Sequence, residues 1–271
     1  MTASFIKNDH WGRASLLGEA AALRWLGEAE REGGLRVARV LRASERELVE
    51  ERIETCQPTW EAAERIGRAL AATHAAGAGW WGAPPSGWSG SYRIDDSRTP
   101  TVAQADAVLS WGAFYAEHRV MTYVRALADS GDFGAREVAL FERLCARLRD
   151  GEWDVPQPRL VGECGHEVAR LHGDLWAGNL LWDADEANPT GAALIDPMAH
   201  GGHAETDLAM LALFGCSHLQ VILSAYDEVS PLADGWRERV ALHQLSPVLL
   251  HCVLFGGGFL GEALAIARHY V

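Results

Sequence analysis

The stretch 171–182, which reads LHGDLWAGNLLW, constrains the fold of this chain more than any other feature. It places Asp174 and, five residues later, Asn179 between two apolar runs. A further apolar run at 192–195 leads directly into Asp196. Short apolar runs bounded by polar residues are typical of strands. We therefore expect short strands around these residues, with loops that bring the three polar side chains together.

Phosphoryl transfer requires groups of these kinds. A carboxylate must accept the proton of the attacking hydroxyl, and oxygen ligands must hold Mg²⁺ against the nucleotide phosphates. The spacing D-x-x-x-x-N matches the catalytic loop of kinases, with His172-Gly173 in place of a His-Arg pair. Each residue alone has an ordinary explanation, since Asp174 could cap a turn and Asp196 could end a strand. The occurrence of all three residues in this order, on alternating strands and loops, favours a phosphoryl-transfer site.

The spacing after Asp196 limits the acceptor. Only ten residues separate Asp196 from Asp207, and no Ala-Pro-Glu sequence follows. A protein kinase needs a long activation segment at this place to dock a polypeptide. A small-molecule acceptor is therefore favoured.

The beginning of the chain predicts a small α+β unit. The alternation at 4–8 predicts a strand, and helical spacing at 13–32 predicts a helix that ends at Gly33-Gly34. Residues 37–41 and 47–53 are expected to form two further strands.

The remainder of the chain predicts mainly helices. Pro58-Thr59 marks a boundary, because Thr59 can cap the N-terminus of a helix that ends at Gly77. Residues 77–102, rich in Gly, Pro, Ser and Trp, are expected to be irregular, and a helix is predicted at about 103–130. The apolar run at 247–261 contains His251 and four glycines, which favours a buried helix over a membrane span.

Four stretches resemble a known family. They are HGDLWAGN at 172–179, IDP at 195–197, HGGHAETDLAMLALFG at 200–215 and LSWGAFYAEHRV at 109–120. Together they resemble the fructosamine kinase (ketosamine-3-kinase) family, whose kinase-like fold is shared with aminoglycoside phosphotransferases and choline kinases. The resemblance implies a two-lobed α+β protein. Residues 1–57 would form a nucleotide-binding lobe and hinge, and residues 58–271 a mainly helical catalytic and substrate lobe.

The resemblance also implies roles for residues of the catalytic loop. Asp174 would be the catalytic base, and Asn179 and Asp196 would be ligands of Mg²⁺. Glu205 and Asp207 would orient the loop without touching substrate.

Four residues of the first lobe would bind ATP by the same resemblance. Lys7 would hold the α- and β-phosphates, with Glu19 as its ion-pair partner. Glu51 and Ile53 fall in the hinge that meets adenine through backbone hydrogen bonds. A solvated lysine and a surface glutamate are the alternative for Lys7 and Glu19.

Aromatic residues are candidates for contacts with a sugar or glycated amine, although aromatic residues are also the usual filling of a core. The candidate substrate-contacting residues, including one histidine, are His172, Trp176, Trp111, Tyr115 and Trp88. A pair spaced as H-x-x-H, His200 and His203, could indicate a metal-dependent hydrolase. The pair has no glutamate base between its members, so structural loop histidines are favoured.

The start of the sequence departs from the kinase pattern. Six residues precede Lys7 and none is glycine, whereas a kinase-like small lobe has two strands and a phosphate-covering loop before its lysine strand. We therefore expect a lobe shortened at its N-terminus, through a late start, a trimmed sequence or a short branch. A pseudokinase that only binds is the alternative from another functional class. A second departure, at 91–98, leaves an aminoglycoside or amino-sugar phosphotransferase open.

Composition excludes several classes of partner. A formal net charge of −13 argues against nucleic acid and anionic membranes as partners. Five scattered cysteines without a CxxC pair indicate reduced thiols and a cytoplasmic location. No apolar segment of a signal peptide is seen at the N-terminus. The expected activity is ATP- and Mg²⁺-dependent phosphorylation of a small ketosamine, which repairs glycated amines, and the oligomeric state stays open.

Overall fold

A computed structural model describes residues 3–271. Its strands are β1 (Ser4–Asn8), β2 (Arg36–Val37), β3 (Val40–Ala43), β4 (Glu47–Glu51), β5 (Ser91–Ile94), β6 (Ser97–Pro100), β7 (Ala169–Leu171), β8 (Leu180–Trp182), β9 (Ala192–Leu194) and β10 (His200–Gly202). Its α-helices are α1 (Leu16–Gly27), α2 (Trp60–Ala75), α3 (Trp111–Tyr115), α4 (Met121–Asp129), α5 (Ala135–Arg149), α6 (Arg159–Glu163), α7 (Glu205–Leu213), α8 (Leu219–Val229), α9 (Trp236–Phe255) and α10 (Leu260–His269). The α+β class predicted from the sequence is confirmed.

An antiparallel sheet with the order β1-β4-β3 begins the chain, and α1 packs against it. The register places Lys7 opposite Leu48 and Phe5 opposite Glu50. Because side chains of opposed residues lie on one face of a sheet, these four share a face. Lys7 is thereby directed toward α1 and Glu19.

The strand predicted at 37–41 is divided in two by the structure. Residues Arg36–Val37 leave the first sheet and pair in parallel with β9, in a second sheet of order β2-β9-β8. Only Val40–Ala43 pairs with β4. The buried core is therefore continuous from α1 through β2 to the later helices. Leu26 of α1 and Ile66 of α2 belong to the same hydrophobic cluster. The lobe boundary at residue 57 stays a prediction.

Two further expectations about secondary structure were wrong. Residues 77–102 contain the hairpin of β5 and β6, in which Tyr92 pairs with Thr99. The helix predicted from about residue 103 begins only at Trp111, where Ser110 caps it by accepting from the amide of Ala113 at 3.2 Å. The N-terminal cap of α2 was predicted correctly, because Thr59 accepts from the amide of Ala62 at 3.2 Å.

The apolar run near the C-terminus is divided between two helices. α9 continues through Pro247 to Phe255, and α10 begins after three glycines, at Leu260. No helix within residues 3–271 is both long enough and apolar enough to cross a membrane.

Candidate active site

Asp207 anchors the backbone of the loop that carries Asp174. The loop follows β7, and the amides of His172 and Gly173 donate to the two carboxylate oxygens of Asp207 at 2.7 and 3.0 Å. Asp207 is 1% exposed, and its Oδ2 also lies 3.3 Å from Nε2 of His74. Burial raises the pKa of Asp207, but the contacts with His74 and Gly173 outweigh it and lower the pKa. This geometry supports a loop-orienting role for Asp207.

Gly173 allows the tight turn before Asp174. Its φ of +81° lies in the left-handed region, where residues with a Cβ are strained. A Cβ at this position would also lie 2.2 Å from the carbonyl oxygen of Met198. The turn therefore requires glycine, which explains the His-Gly-Asp sequence in physical terms.

Asn179 is oriented by Asp174. Its Nδ2 donates to the backbone carbonyl of Asp174 at 2.8 Å and to the carboxylate at 3.1 Å. This assignment of the amide leaves Oδ1 free to bind a cation. Burial raises the pKa of Asp174 to about 7, and the nearby carboxylates of Asp196 and Asp207 act in the same direction. A pKa near neutrality suits a general base.

Asp196 follows β9 with a backbone φ of +55°, which is uncommon for a residue other than glycine. Its carboxylate contacts Nζ of Lys7, and the same ammonium contacts Glu19 in α1. Glu50 of β4 lies 3.5 Å from Nζ of Lys7. The structure therefore brings the predicted Lys7–Glu19 pair together beside Asp196.

The three carboxylates around Lys7 influence one another. Burial would lower the pKa of Lys7, but Glu19, Asp196 and Glu50 outweigh it and raise the pKa. Burial raises the pKa of Glu19 to about 7 despite the ion pair with Lys7. One ammonium beside three carboxylates leaves an excess of negative charge, which a divalent cation would neutralise.

The predicted metal ligands fit Mg²⁺ by their chemistry. Asn179 and Asp196 offer an amide oxygen and a half-exposed carboxylate, and Mg²⁺ prefers oxygen ligands supplemented by phosphate and water. Both line a cleft of about 620 Å³ together with Asp174 and Trp176. The same cleft is bordered by the β5–β6 hairpin and by the segment that joins β1 to α1.

The predicted hinge residues lie at the end of β4. The amide of Glu51 donates to the carbonyl of Arg39 at 2.9 Å, and its carboxylate pairs with Arg36. The amide and the carboxylate of Glu51 therefore already have partners within the protein. Ile53 is half-buried in the segment after β4. An adenine contact by Glu51 or Ile53 stays a prediction.

Of the predicted substrate-contacting residues, Trp176 alone is more than a third exposed at the cleft. Its side chain is 39% exposed and meets Phe214 edge to face, with ring centroids 6.3 Å apart. Trp88 packs on Gly18 of α1 and on Tyr92. Trp88 therefore supports the fold through these contacts, and its contact with substrate stays a prediction.

His172, Trp111 and Tyr115 lie away from the large cleft. The His172 ring is buried between the carbonyl of Ile195, at 2.9 Å, and the amide of Asp174, at 3.2 Å, which uses both ring nitrogens. Trp111 is 3% exposed and stacks on Tyr115, with centroids 4.8 Å apart. The Tyr115 hydroxyl donates to the carbonyl of Leu242 at 2.7 Å. None of the three side chains lines the large cleft. Trp111 and Tyr115 line a smaller cavity that also contains Asp174, so their contact with substrate stays a prediction.

Glu205 holds α7 to α9 and does not contact the catalytic loop. Its carboxylate accepts from Nε and Nη2 of Arg239 at 2.9 and 2.6 Å, and Nε2 of His243 lies 3.3 Å away. Burial raises the pKa of Glu205, but His243 and Arg239 outweigh it and lower the pKa to about 2. The role predicted for Glu205, orienting the catalytic loop, stays a prediction.

The H-x-x-H pair has structural contacts. Nδ1 of His200 lies 2.9 Å from the carbonyl of Met198, and Nε2 of His203 lies 3.3 Å from that of Pro156. Burial lowers the pKa of His200 to about 3 and that of His203 to about 4, so both are neutral. His203, Glu205 and His243 have ligand atoms within 4.8 Å of one another. The Glu205 carboxylate already accepts hydrogen bonds from Arg239, so these three residues form a poor metal site.

Arg239→Met should destabilise the protein by about 3–5 kcal/mol, because it leaves the buried carboxylate of Glu205 without its main partner. Arg68→Met is the matched control. Arg68 pairs with Glu228 on the surface, so its replacement should change stability little. Urea unfolding of both variants measures the difference. Equal effects would show that the Glu205–Arg239 pair does not support α7 and α9.

The raised pKa of Asp174 should make the stability of the metal-free protein depend on pH. The folded state binds this proton more tightly than the unfolded state, in which the pKa is near 3.8. The stability from this group is therefore fully present below pH 3.8 and is lost as the pH rises through about 7.

Asp174→Asn removes this dependence, so the variant should become more stable than the wild type as the pH rises across this range. The gain should be on the order of 1–4 kcal/mol. Urea unfolding at several pH values, without Mg²⁺ or nucleotide, measures it. A difference in unfolding free energy that stays constant with pH would contradict the assigned burial of the charge.

No local pattern in the sequence indicated a role for Glu50, His74 or the hairpin residue Arg93. Glu50 reaches Lys7 only because of the β1–β4 register, and His74 reaches Asp207 through the packing of α2. Arg93 lines the cleft. Pairings between distant segments are needed to find each of them.

Comparison with known proteins agrees with this geometry. The sequence profile described as fructosamine kinase matches residues 3–271. The chain belongs to the fructosamine kinase family. The kinase-like fold expected from the resemblance is also confirmed. A candidate fructosamine-3-kinase structure from Thermobifida fusca has 39% sequence identity and a TM-score of 0.81, covering 99% of this chain and 85% of that one.

Other relatives in the fructosamine kinase family match over part of their length. A candidate ketoamine kinase of Synechocystis is 32% identical over 202 residues, which are 73% of this chain and 59% of the relative. The ketosamine-3-kinase of Mus musculus is 32% identical over 161 residues, 59% of this chain and 47% of the relative. The chain thus spans about half to three-fifths of these curated relatives. A choline kinase from Streptococcus pneumoniae, 13% identical with a TM-score of 0.58 over 99% of this chain and 84% of that one, shares the fold.

Proposed function

We propose that this protein is an ATP-dependent phosphotransferase that transfers the γ-phosphoryl group to a sugar hydroxyl of a ketosamine. One observation carries the proposal. Asp174 lies hydrogen-bonded to Asn179 in the cleft that also contains Asp196, and Asp196 contacts the Lys7–Glu19 pair. This arrangement supports the proposal, because phosphoryl transfer needs a base, oxygen ligands for a metal ion and a cation for the phosphates close together.

Each residue has a proposed task. Asp174 accepts the proton of the attacking hydroxyl, and its raised pKa makes it a competent base near neutral pH. Lys7, fixed by Glu19, binds the α- and β-phosphates. Asn179 and Asp196 would hold Mg²⁺, which when bound would neutralise the charge on the phosphates. Because backbone contacts hold the loop of Asp174 and ion pairs hold Lys7, little reorganisation is needed during transfer.

A ketosamine acceptor is supported by the family and by the short segment between Asp196 and Asp207. The relatives named as ketosamine-3-kinase and fructosamine-3-kinase suggest the hydroxyl of the third sugar carbon. Trp176, exposed at the cleft, offers an aromatic face for the sugar or its amine substituent. Phosphorylation at this carbon would promote loss of the sugar and thereby repair the glycated amine.

The protein is proposed to act in the cytoplasm with its thiols reduced. All five cysteines are free, and Cys56 and Cys164 are exposed. Exposed unpaired thiols suit a reducing compartment.

The test is ADP formation by the purified protein with Mg²⁺, ATP and a panel of acceptors. The panel contains ketosamines, aminoglycosides, other amino sugars, free sugars and choline. The proposal predicts that ketosamines give the highest kcat/KM. A clear preference for an aminoglycoside would favour the amino-sugar alternative, and ATP binding without turnover on any acceptor would favour a pseudokinase.

A further inference from the structure

A single π-helical turn interrupts the helix that runs from α3 to α4. It comprises Ala116–Val120 and contains Arg119. Such turns are rare and occur frequently at functional sites, because the extra residue redirects the side chains of one turn. Here the turn contains an arginine that is 5% exposed.

Arg119 has no carboxylate partner among residues 3–271. Its Nη1 donates to the carbonyls of Pro100 and His118 at 2.9 and 2.8 Å, and the guanidinium lies 4.7 Å from the ring centroid of Phe114. Nε and Nη2 donate to none of the described residues. Burial lowers the pKa of Arg119 to about 10, so the group is still charged at neutral pH. An unpaired buried charge is unfavourable, which indicates a partner other than the protein.

Arg119 lines a cavity of about 40 Å³ that reaches the catalytic loop. Asp174 and Met198 line both this cavity and the large cleft, so the two spaces meet at the proposed base. A cavity of this size holds one or two water molecules, or a group as small as a hydroxymethyl.

Two buried hydroxyl groups share the cavity wall with Arg119. The Tyr123 hydroxyl lies 2.6 Å from Oγ1 of Thr99, and the two residues are 2% and 6% exposed. Both line the cavity. The wall therefore offers a cation and two groups that can each donate or accept a hydrogen bond.

We propose that Arg119, Tyr123 and Thr99 bind the terminal hydroxymethyl group of the acceptor's sugar while its reacting hydroxyl meets Asp174. The inference rests on the proposed function and names the specificity-determining residues for it. A hydroxyl is favoured over an anionic group, because the carboxylate of Asp174 forms part of the same wall. A longer sugar would reach the cavity and a shorter one would not.

The test compares ketosamines of one amine that carry four-, five- or six-carbon sugars. Tyr123→Phe and Thr99→Val each remove one hydroxyl while keeping most of the side-chain volume. Each should raise KM for the six-carbon acceptor by about tenfold, as expected for one lost hydrogen bond in a buried site, with a smaller effect on kcat. The increase in KM should become smaller as the sugar is shortened from six to four carbons. KM for ATP should stay within about twofold, because these residues are assigned no contact with the nucleotide.

Thr122→Val is the matched control. Thr122 lies on the same helix, and its hydroxyl donates to the carbonyl of Glu117 at 3.3 Å, outside the cavity wall. It should leave KM unchanged for every acceptor. Arg119→Lys keeps the charge but loses the forked donor, and should affect the six-carbon acceptor most. Its thermal unfolding is measured in parallel, and the two hydroxyl variants decide the matter if it does not fold.

The outcomes separate this inference from the proposed function. If the wild type phosphorylates ketosamines but the hydroxyl variants change KM equally for all sugar lengths, or not at all, the inference is wrong and the proposed function stands. If the wild type phosphorylates no ketosamine, the proposed function fails and the inference fails with it.

Discussion

Asp174→Asn should lower kcat by about 10²–10⁴-fold, the usual contribution of a general base. The substitution removes the proton acceptor and keeps the shape of the side chain. The amide can still occupy the position beside Asn179, so the Mg²⁺ ligands should stay in place. Affinity for Mg·ATP should therefore change little. Steady-state kinetics and calorimetric titration with a nonhydrolysable nucleotide measure the two quantities.

Asp129→Asn is the control for this substitution. Asp129 is exposed at the end of α4 and lies outside the cleft, so its replacement should leave both quantities unchanged. If Asp174→Asn retained more than half of the wild-type rate, another group would have to accept the proton.

Asp196→Asn should abolish most of the Mg²⁺ dependence of ATP binding. The carboxylate is the only anionic member of the proposed ligand pair, and loss of even an outer partner of a metal typically weakens binding by about 10- to 100-fold. We expect at least that loss for Mg·ATP. Asparagine is preferred to alanine here because it tolerates the left-handed backbone at this position.

Titration with ATP in the absence of Mg²⁺ is the internal control. The substitution removes a negative charge near Lys7, so metal-free ATP should bind no more weakly than to the wild type. Unchanged Mg·ATP affinity would mean that Asp196 only ends a strand.

The sequence predicted the catalytic loop well because its residues are close in the chain. Asp174 and Asn179 are separated by only four residues, and the loop conformation follows from Gly173 and its neighbours. The approach of Lys7 and Glu19 was also predicted, although it depends on the packing of α1 on the first sheet. The family resemblance predicted this ion pair, which the periodicity of the sequence does not indicate.

The hairpin of β5 and β6 was missed because the alternation in β5, Ser-Tyr-Arg-Ile, covers only four residues, and β6, Ser-Arg-Thr-Pro, has no such alternation. Ser91–Pro100 contains two arginines and two aspartates, and its pairing depends on the turn at Asp95, which has a φ of +51°. The division of 37–41 was missed for a related reason. Arg36 pairs with Ala193, which is far along the chain, and no local pattern indicates such a partner.

The substrate-contacting residues were the least predictable. Trp111 and Trp176 are both tryptophans near the catalytic loop, yet one is buried in the core and the other is exposed at the cleft. Arg119 was not considered, because its importance depends on a π-helical turn and on a cavity. Side-chain direction decides these cases, and it follows from packing between distant elements.

Direct detection of the phosphorylated acceptor is the decisive measurement for the proposed reaction. A fructosamine-type ketosamine is incubated with Mg²⁺, ATP and either wild-type protein or Asp174→Asn, and the products are followed by phosphorus NMR and mass spectrometry. We predict that the wild type yields one phosphorylated ketosamine for each ADP, with the phosphate on the third sugar carbon, and that the variant yields almost none. ADP without a phosphorylated ketosamine, or equal product from both proteins, would contradict the proposed reaction.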